Sequence, residues 1–167
     1  MSSPLRFRRA EVQDAALLTE IALAGKRHWG YPDDWMAQWR FDLTVAPAYL
    51  HHELVVVAEL EGAVVGFAGL SELEGSRYLE HLWLRPGMIG RGFGRAIFEE
   101  IVRQARAENI TELQIKSDPN AAPFYLKMGA VCQGSEVYWL LGKFRREVPL
   151  LAYSVRQAAT SLVNSLP

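Results

Sequence analysis

The sequence predicts an α+β fold, a mixed and mostly antiparallel central sheet with helices on both faces, and three observations carry that prediction. Branched apolar runs of strand length at 54–59 and 63–70 flank a Glu61-Gly62 turn signal, which reads as a β-hairpin. Two other segments, 11–24 and 92–108, space their apolar residues three and four apart, as helices with one buried face do. The predicted order is β-α-α-β-β-β-α-β-α-β-β, in which neighbouring strands pair antiparallel and helices cover the sheet. With 167 residues, 50% of them hydrophobic, the chain suits one core, so a single domain over 1–167 is expected.

Leu5 to Arg8 alternates apolar with basic and predicts a first strand. Glu11 to Ala24 places Val12, Ala15, Ala16, Leu18, Ile21 and Ala22 at helical spacing, until His28-Trp29-Gly30-Tyr31-Pro32 breaks the pattern. Asp33 or Asp34 then caps a second helix that fades near Leu43 and puts Trp35 and Trp39 on one face. After the hairpin, 77–84 is a third neighbouring strand. The next helix runs from Gly92 to about Glu108, with Phe93, Ala96, Ile97, Ile101 and Ala105 inward and Glu99 and Arg103 in i,i+4 pairing order. Glu112 to Lys116 is a short strand, Ser117-Asp118-Pro119-Asn120 a turn or cap, and Ala121 to Met128 a short helix closed by Gly129. Strands follow at 130–133 and 137–141, with a further candidate at 150–155. Residues 154–167 are left open between a C-terminal helix and a tail.

A formal net charge of −1 gives no bulk electrostatic case for nucleic acid or an anionic membrane surface. The single cysteine, Cys132, excludes an internal disulfide, fits a reducing compartment and is expected to be buried. No secretory leader and no apolar run of membrane-spanning length is read, so the expected address is the cytoplasm. His51-His52 has no metal-ligand spacing with another His or Cys, and no metal site is expected.

Chemistry concentrates in Trp83-Leu84-Arg85-Pro86-Gly87-Met88-Ile89-Gly90-Arg91-Gly92-Phe93-Gly94-Arg95, glycine-rich and running straight into an amphipathic helix. Glycine allows sharp turns and close approach, and a helix start aims unpaired N–H groups at an anion, so a phosphorylated cofactor is expected. Two familiar templates fail. The dinucleotide fingerprint G-x-G-x-x-G needs glycine at Arg95 or at Ile97, and a nucleotide P-loop needs Gly-Lys-Ser/Thr where Gly92-Phe93 and Gly94-Arg95 stand. What remains is a loop for a pyrophosphate that is not cleaved.

This loop, together with Asn120-Ala121-Ala122-Pro123-Phe124-Tyr125-Leu126-Lys127-Met128-Gly129-Ala130 beyond the next strand, resembles the GNAT superfamily of acetyl-CoA-dependent N-acetyltransferases. The resemblance covers the whole domain in element order, and its specific part lies within 77–130. The family's Gln/Arg-x-x-Gly-x-Gly/Ala motif falls on Ile89-Gly90-Arg91-Gly92-Phe93-Gly94, departing at Ile89, whose missing polar side chain Arg91 or Arg95 would have to replace. In the later motif Asn120, Phe124, Tyr125 and Gly129 match, with Pro123 for alanine and Ala130 for phenylalanine. Lys26-Arg27-His28-Trp29-Gly30-Tyr31 and Ser117-Asp118-Pro119-Asn120 look like a little-characterised bacterial branch that does not fix a substrate. The resemblance implies acetyl-CoA as cosubstrate, bound by Leu82, Trp83, Leu84, Ile89 to Arg95, Asn120, Phe124 and Tyr125, with backbone N–H groups near Leu82 and Leu84 meeting the acetyl and pantetheine amides. Homodimers are common in the family.

Transfer of an acyl group from a thioester to an amine needs a neutral amine, donors for the developing oxyanion and a proton for the thiolate. By the resemblance, Tyr125 is the candidate general acid; the plainer reading is that it packs a helix on the sheet. Asn120 serves the cofactor, or only N-caps that helix. Glu80 is the candidate base, against a surface glutamate paired with an arginine. His28 and His81 are alternative bases, although lone histidines are more often structural. His28, Trp29 and Tyr31 are assigned to the acceptor, and Trp29, Tyr31, Trp35 and Trp39 form either an aromatic wall that holds a cation or core. At least Trp29 or Tyr31 is expected to face the cleft. The sequence thus reads as an acetyltransferase acting on a primary amine by direct attack in a ternary complex. The alternative is a non-catalytic acyl-CoA-binding module. The acceptor stays open among polyamine, aminoglycoside, amino acid, small xenobiotic amine and protein N-terminus.

Overall fold

Valine at 55, 56 and 57 is buried on both sides of its strand, and that fixes the layering in a computed structural model that describes residues 4–156. Val55 and Val57 belong to one apolar cluster, Val56 and Ala58 to another on the opposite face. A continuous branched run suits such a strand because helices cover both faces. The strands are β1 (Arg6–Arg9), β2 (Val55–Leu60), β3 (Ala63–Leu73), β4 (Ser76–Leu84), β5 (Glu112–Lys116), β6 (Val131–Leu140) and β7 (Phe144–Ser154). The helices are α1 (Ala15–Arg27), α2 (Asp33–Leu43), α3 (Pro47–His52), α4 (Phe93–Ala107) and α5 (Ala122–Met128), with 3-10 turns at Val12–Asp14 and Pro86–Met88.

The sheet order is β1-β2-β3-β4-β5-β7-β6, and every neighbouring pair is antiparallel except β4 and β5. Residues of α1 and α2, with Leu50 of α3, pack in one cluster around Phe67, and residues of α4 and α5 in the other around Phe98 and Ile101. The hairpin turn forms as expected, with Glu61 and Gly62 both at positive φ (52° and 82°). Trp35 and Trp39 do share a face, their rings 5.8 Å apart. Among the described residues no helix is long and apolar enough to cross a membrane.

Several expectations are corrected. Helix α3 escaped prediction, being only six residues long with Pro47 in its first turn. The strands expected at 130–133 and 137–141 are one strand, β6, whose register shifts between Cys132 and Gly134; the last strand begins at Phe144, not 150. β6 is the sheet edge, so Cys132 is exposed rather than buried. Pro32, not Asp33 or Asp34, is the residue before α2, and both aspartates lie in its first turn. On α4 the ion pairs are Arg95–Glu99 at 3.0 Å and Arg103–Glu100 at 2.7 Å, in place of Glu99–Arg103. Of the segment 154–167, Ser154 ends β7, and 157–167 lie outside the described residues.

Candidate active site

Strands β4 and β5 touch in register only at Tyr78 and Gln114. Beyond that bridge the two strands part. Arg85 N–H donates to Val65 O at 2.8 Å, and Trp83 and His81 stand opposite Phe67 and Gly69 in the same ladder. By antiparallel alternation the N–H and C=O groups of Leu82 and Leu84 therefore face away from β3, into the gap. A register shift leaves Glu80 as the extra residue, since His81 pairs with Gly69 and Leu79 with Leu70. The bulge also explains why Leu79 and Leu82 reach the same apolar cluster although three residues apart.

The glycine loop sits at the open end of this gap. Gly90 and Gly92 adopt φ of +80° and +82°, a left-handed backbone that side chains resist, and a Cβ at either would meet nothing within 4 Å. Gly92 is the residue before α4 and caps nothing with a side chain; the first helical bond is Ala96 N–H to Gly92 O. The N–H groups of Gly92, Phe93, Gly94 and Arg95 therefore have no acceptor within the helix and point out of its start. Around this backbone the side chains are turned to each other. Arg91 lies over the Phe93 ring at 4.9 Å and reaches Met88 Sδ at 3.2 Å, Arg95 pairs with Glu99, and Ile89 is 40% exposed.

Gly94 joins loop, sheet and α5 at one point. A Cβ there would stand 3.5 Å from both Leu84 Cδ1 and Phe124 Cε2. Phe124 in turn packs edge-on to Phe98 and to Tyr125, at 6.2 and 5.2 Å between centroids. Tyr125 is buried, and burial first, then the Asp118 charge, pushes its phenol well above the usual range. It stays protonated through neutral pH.

On the other side of the sheet lies a group of polar residues that sequence reasoning only partly found. Lys26 Nζ, at the end of α1, is 2.5 Å from Asp118 Oδ2, and Arg146 Nη2, from β7, is 3.4 Å from the same oxygen. The Tyr31 hydroxyl donates to Asp118 at 2.9 Å and accepts from Asn120 Nδ2 at 2.9 Å and Arg146 Nη2 at 3.1 Å. Rings close it off: Lys26 Nζ stands 4.2 Å from the Trp39 ring centre, and the Arg146 guanidinium 4.9 Å from both Tyr31 and Trp39. Burial alone would raise the Asp118 carboxyl, but the Lys26 ammonium, the Asn120 N–H and Tyr31 outweigh it and hold it below its ordinary value. Burial lowers the Lys26 ammonium. Asn120 is thus no N-cap: Ala121 precedes α5 without a side-chain cap, and the Asn120 side chain serves Tyr31 and Asp118.

The acetyltransferase (GNAT) family profile matches residues 17–130. The chain belongs to that family. No curated protein matches it, whereas many solved structures do. A GCN5-related N-acetyltransferase of Rhodopseudomonas palustris is 24% identical, with a TM-score of 0.77 over 92% of this chain and 98% of its own. The PaiA N-acetyltransferase of Thermoplasma acidophilum, solved in complex with coenzyme A, is 16% identical with a TM-score of 0.69 over 90% and 99%. YncA of Salmonella typhimurium, solved with acetyl-CoA, is 20% identical with a TM-score of 0.67 over 92% and 95%. These likenesses establish the GNAT fold.

Within this GNAT fold the remaining candidate residues fall unevenly. Glu80 is exposed and accepts from Ser71 Oγ at 3.1 Å, not from an arginine. His81 is no accessible base: it is buried between Tyr49 and Phe67, burial drives its imidazole down to about 4, and its Nδ1 accepts from Trp83 Nε1 at 3.2 Å. The Trp83 side chain lies against α1, where a Cβ at Gly25 would come within 2.8 Å of it, and the Trp83 N–H and C=O face β3, so neither turns into the gap. His28 and Trp29 are exposed and contact each other edge-on, while Tyr31 alone of the three acceptor candidates enters the polar cluster. The aromatic wall does hold cations, but they are the protein's own Lys26 and Arg146. Lys26 and Asp118 lie within the two segments that resemble the bacterial branch, which assign them no role, and no sequence motif marks Arg146. Among the described residues no group of three or more His, Cys, Asp or Glu is placed to hold a metal. A concavity of about 530 Å³ lined by Glu72, Arg77 and Glu108 lies at the opposite, paired end of β4 and β5, away from all of this.

Proposed function

We propose that this chain is an acetyl-CoA-dependent N-acetyltransferase that moves the acetyl group to a primary amine by direct attack in a ternary complex. Membership of an acetyltransferase family makes acetyl transfer the reaction and acetyl-CoA the cosubstrate. The observation that carries the residue assignment is the meeting at Gly94 of the α4 start, the open edge of β4 and Phe124 of α5. An uncapped helix start after two left-handed glycines, with room for a close approach, fits a pyrophosphate.

The thioester of acetyl-CoA supplies the activated acyl group. Leu82 and Leu84 N–H present fixed donors along the gap, and Gly92 to Arg95 N–H hold the phosphates. The Glu80 carboxylate, re-aimed by its bulge, takes the proton from the attacking amine directly or through water. The Tyr125 hydroxyl, kept protonated by burial, gives its proton to the departing sulfur. The apolar Ile89 and a Glu80 whose hydrogen bond is spent on Ser71 favour the rival, an acyl-CoA-binding module without turnover.

The test is ligand stabilisation combined with CoA release. Acetyl-CoA at ~100 times its Kd should add about 2.7 kcal/mol, roughly 5–10 °C in Tm for a chain of this size. Tyr125→Phe should lower kcat by about 10²-fold or more while leaving that shift intact. Stabilisation without CoA release from any amine would select the binding module, and no stabilisation would sink both readings.

A further inference from the structure

Resting on that acetyltransferase reading, we propose that the acceptor is an amino acid, its carboxylate received by Arg146 with support from Lys26 while its amine points into the β4–β5 gap. Lys26 and Arg146 both address the one carboxylate of Asp118, and the three side chains are only 12%, 10% and 8% exposed. Every ion pair described for either cation is with Asp118. One positive charge is therefore in excess in a nearly dry place, where an unbalanced charge is costly unless an anion joins it.

Beside Tyr31, Asp118 and Tyr138, the Arg146 guanidinium keeps one N–H without a partner. Nη2 of Arg146 serves Tyr31 and Asp118, while its Nε is buried without a partner among the described residues. A planar fork with an unpaired N–H matches a carboxylate better than any other common group. Arg77 and Arg106 also carry unpartnered buried Nε atoms, but in other surroundings: Arg77 has Glu53, Glu72 and Glu108 within 4.0 Å, and Arg106 bonds the Val155 carbonyl. Among the described residues only Arg146 combines the free N–H with a second cation, Lys26, competing for the same carboxylate.

The aromatic rings exclude the opposite preference. Tyr31 and Trp39 would cage a substrate ammonium if their surroundings were free, yet both already lie against Lys26 and Arg146. A polyamine or aminoglycoside would bring further positive charge to two cations. Position ties the cluster to the chemistry, because Asp118 O accepts from Ala121 and Ala122 N–H at 2.9 and 3.1 Å and so anchors the start of α5, which carries Tyr125. Asn120, exposed and bonded to Tyr31, forms the rim through which a small acceptor enters.

The experiment compares matched acceptors with the full-length chain: free amino acids, their carboxamides and their decarboxylated amines, phenylalanine, phenylalaninamide and phenethylamine among them, each followed by CoA release. An amino acid should exceed its carboxamide in kcat/KM by at least about tenfold. Arg146→Gln should raise the amino-acid KM by about tenfold or more, leave the carboxamide KM within about twofold, and leave the acetyl-CoA melting shift unchanged. That variant keeps a balanced Lys26–Asp118 pair, and Arg146→Lys, which retains charge without the fork, should fall between it and the parent. A second readout needs no turnover: with CoA present, an amino acid should raise Tm and its carboxamide should not. Equal use of the carboxamide, preference for a polyamine, or an equal KM rise for both acceptors in Arg146→Gln would overturn the assignment. If acetyl-CoA stabilises the protein but no amino acid is acetylated, the acceptor class is wrong and the cofactor reading stands; if acetyl-CoA does not stabilise it, both fall.

Discussion

The cofactor site proposed for residues 89–95 is one unbroken stretch of backbone, whereas Lys26, Tyr31, Asp118 and Arg146 come from α1, the turn after it, the turn before α5, and β7. The first depends on φ angles and N–H direction, and its side chains pair among themselves. The second depends wholly on side chains, and on a fold that brings four distant segments within hydrogen-bond range. A backbone site tolerates drift at Ile89 or Arg91. A side-chain site concentrates its energy in single atoms, and that is where selectivity is exercised.

The largest expected effect tests the side-chain half of that contrast. Asp118→Ala strands two buried cations and should cost about 3–5 kcal/mol in urea unfolding; a loss under ~1 kcal/mol would show that the cluster is more solvated than its burial implies. Because the folded Asp118 carboxyl lies below its ordinary value of 3.8, its contribution is complete above that value and disappears as pH falls through the lower folded one. Asp118→Asn should accordingly flatten the acid limb of the stability curve.

Next comes His81, buried behind the gap strand. Its folded value of about 4 against an ordinary 6.5 means the unfolded chain takes up the proton first, so stability is full above pH 6.5 and falls as pH drops towards 4. The span corresponds to about 3 kcal/mol at most. Denaturation at pH 4.5 and 7 should show this slope in the parent and lose it in His81→Gln; an unchanged slope would place the proton uptake elsewhere.

Two smaller effects separate backbone from side chain in the glycine loop. Gly92→Val forces a branched residue to φ +82° and should weaken acetyl-CoA binding roughly 10- to 100-fold by calorimetry. Arg91→Ala and Arg95→Ala should change the same affinity by less than about threefold, since both arginines are exposed and one is already paired. A larger arginine effect than glycine effect would reverse the comparison.

The same contrast decides what could be read in advance. The loop and Tyr125 lie in short windows whose residue types and spacing state their local geometry, and α4 is announced by fifteen residues of regular periodicity. The β2–β3 hairpin was equally legible from its turn pair. α3 is too short to show a period, and the bulge near Gly134 made one edge strand resemble two. Arg146 was invisible because it is one of two adjacent arginines in a segment not expected to be a strand; alternation in β7 turns Arg145 to solvent and Arg146 inward. Glu80 is marked by its position before the cofactor strand alone, and its partner, Ser71, depends on a register shift that composition does not announce.

The single bridge between Tyr78 and Gln114 has one more consequence, for isotope labelling. Amides of Trp83 and Arg85 are tied to β3 and should retain their hydrogens in deuterated water for as long as the sheet stays closed. Those of Leu82 and Leu84, one position away along the same strand, have no neighbouring strand to protect them. Alternate residues of β4 should therefore exchange on different timescales. Acetyl-CoA should slow the fast pair alone, giving a site built from backbone N–H groups a signature of its own.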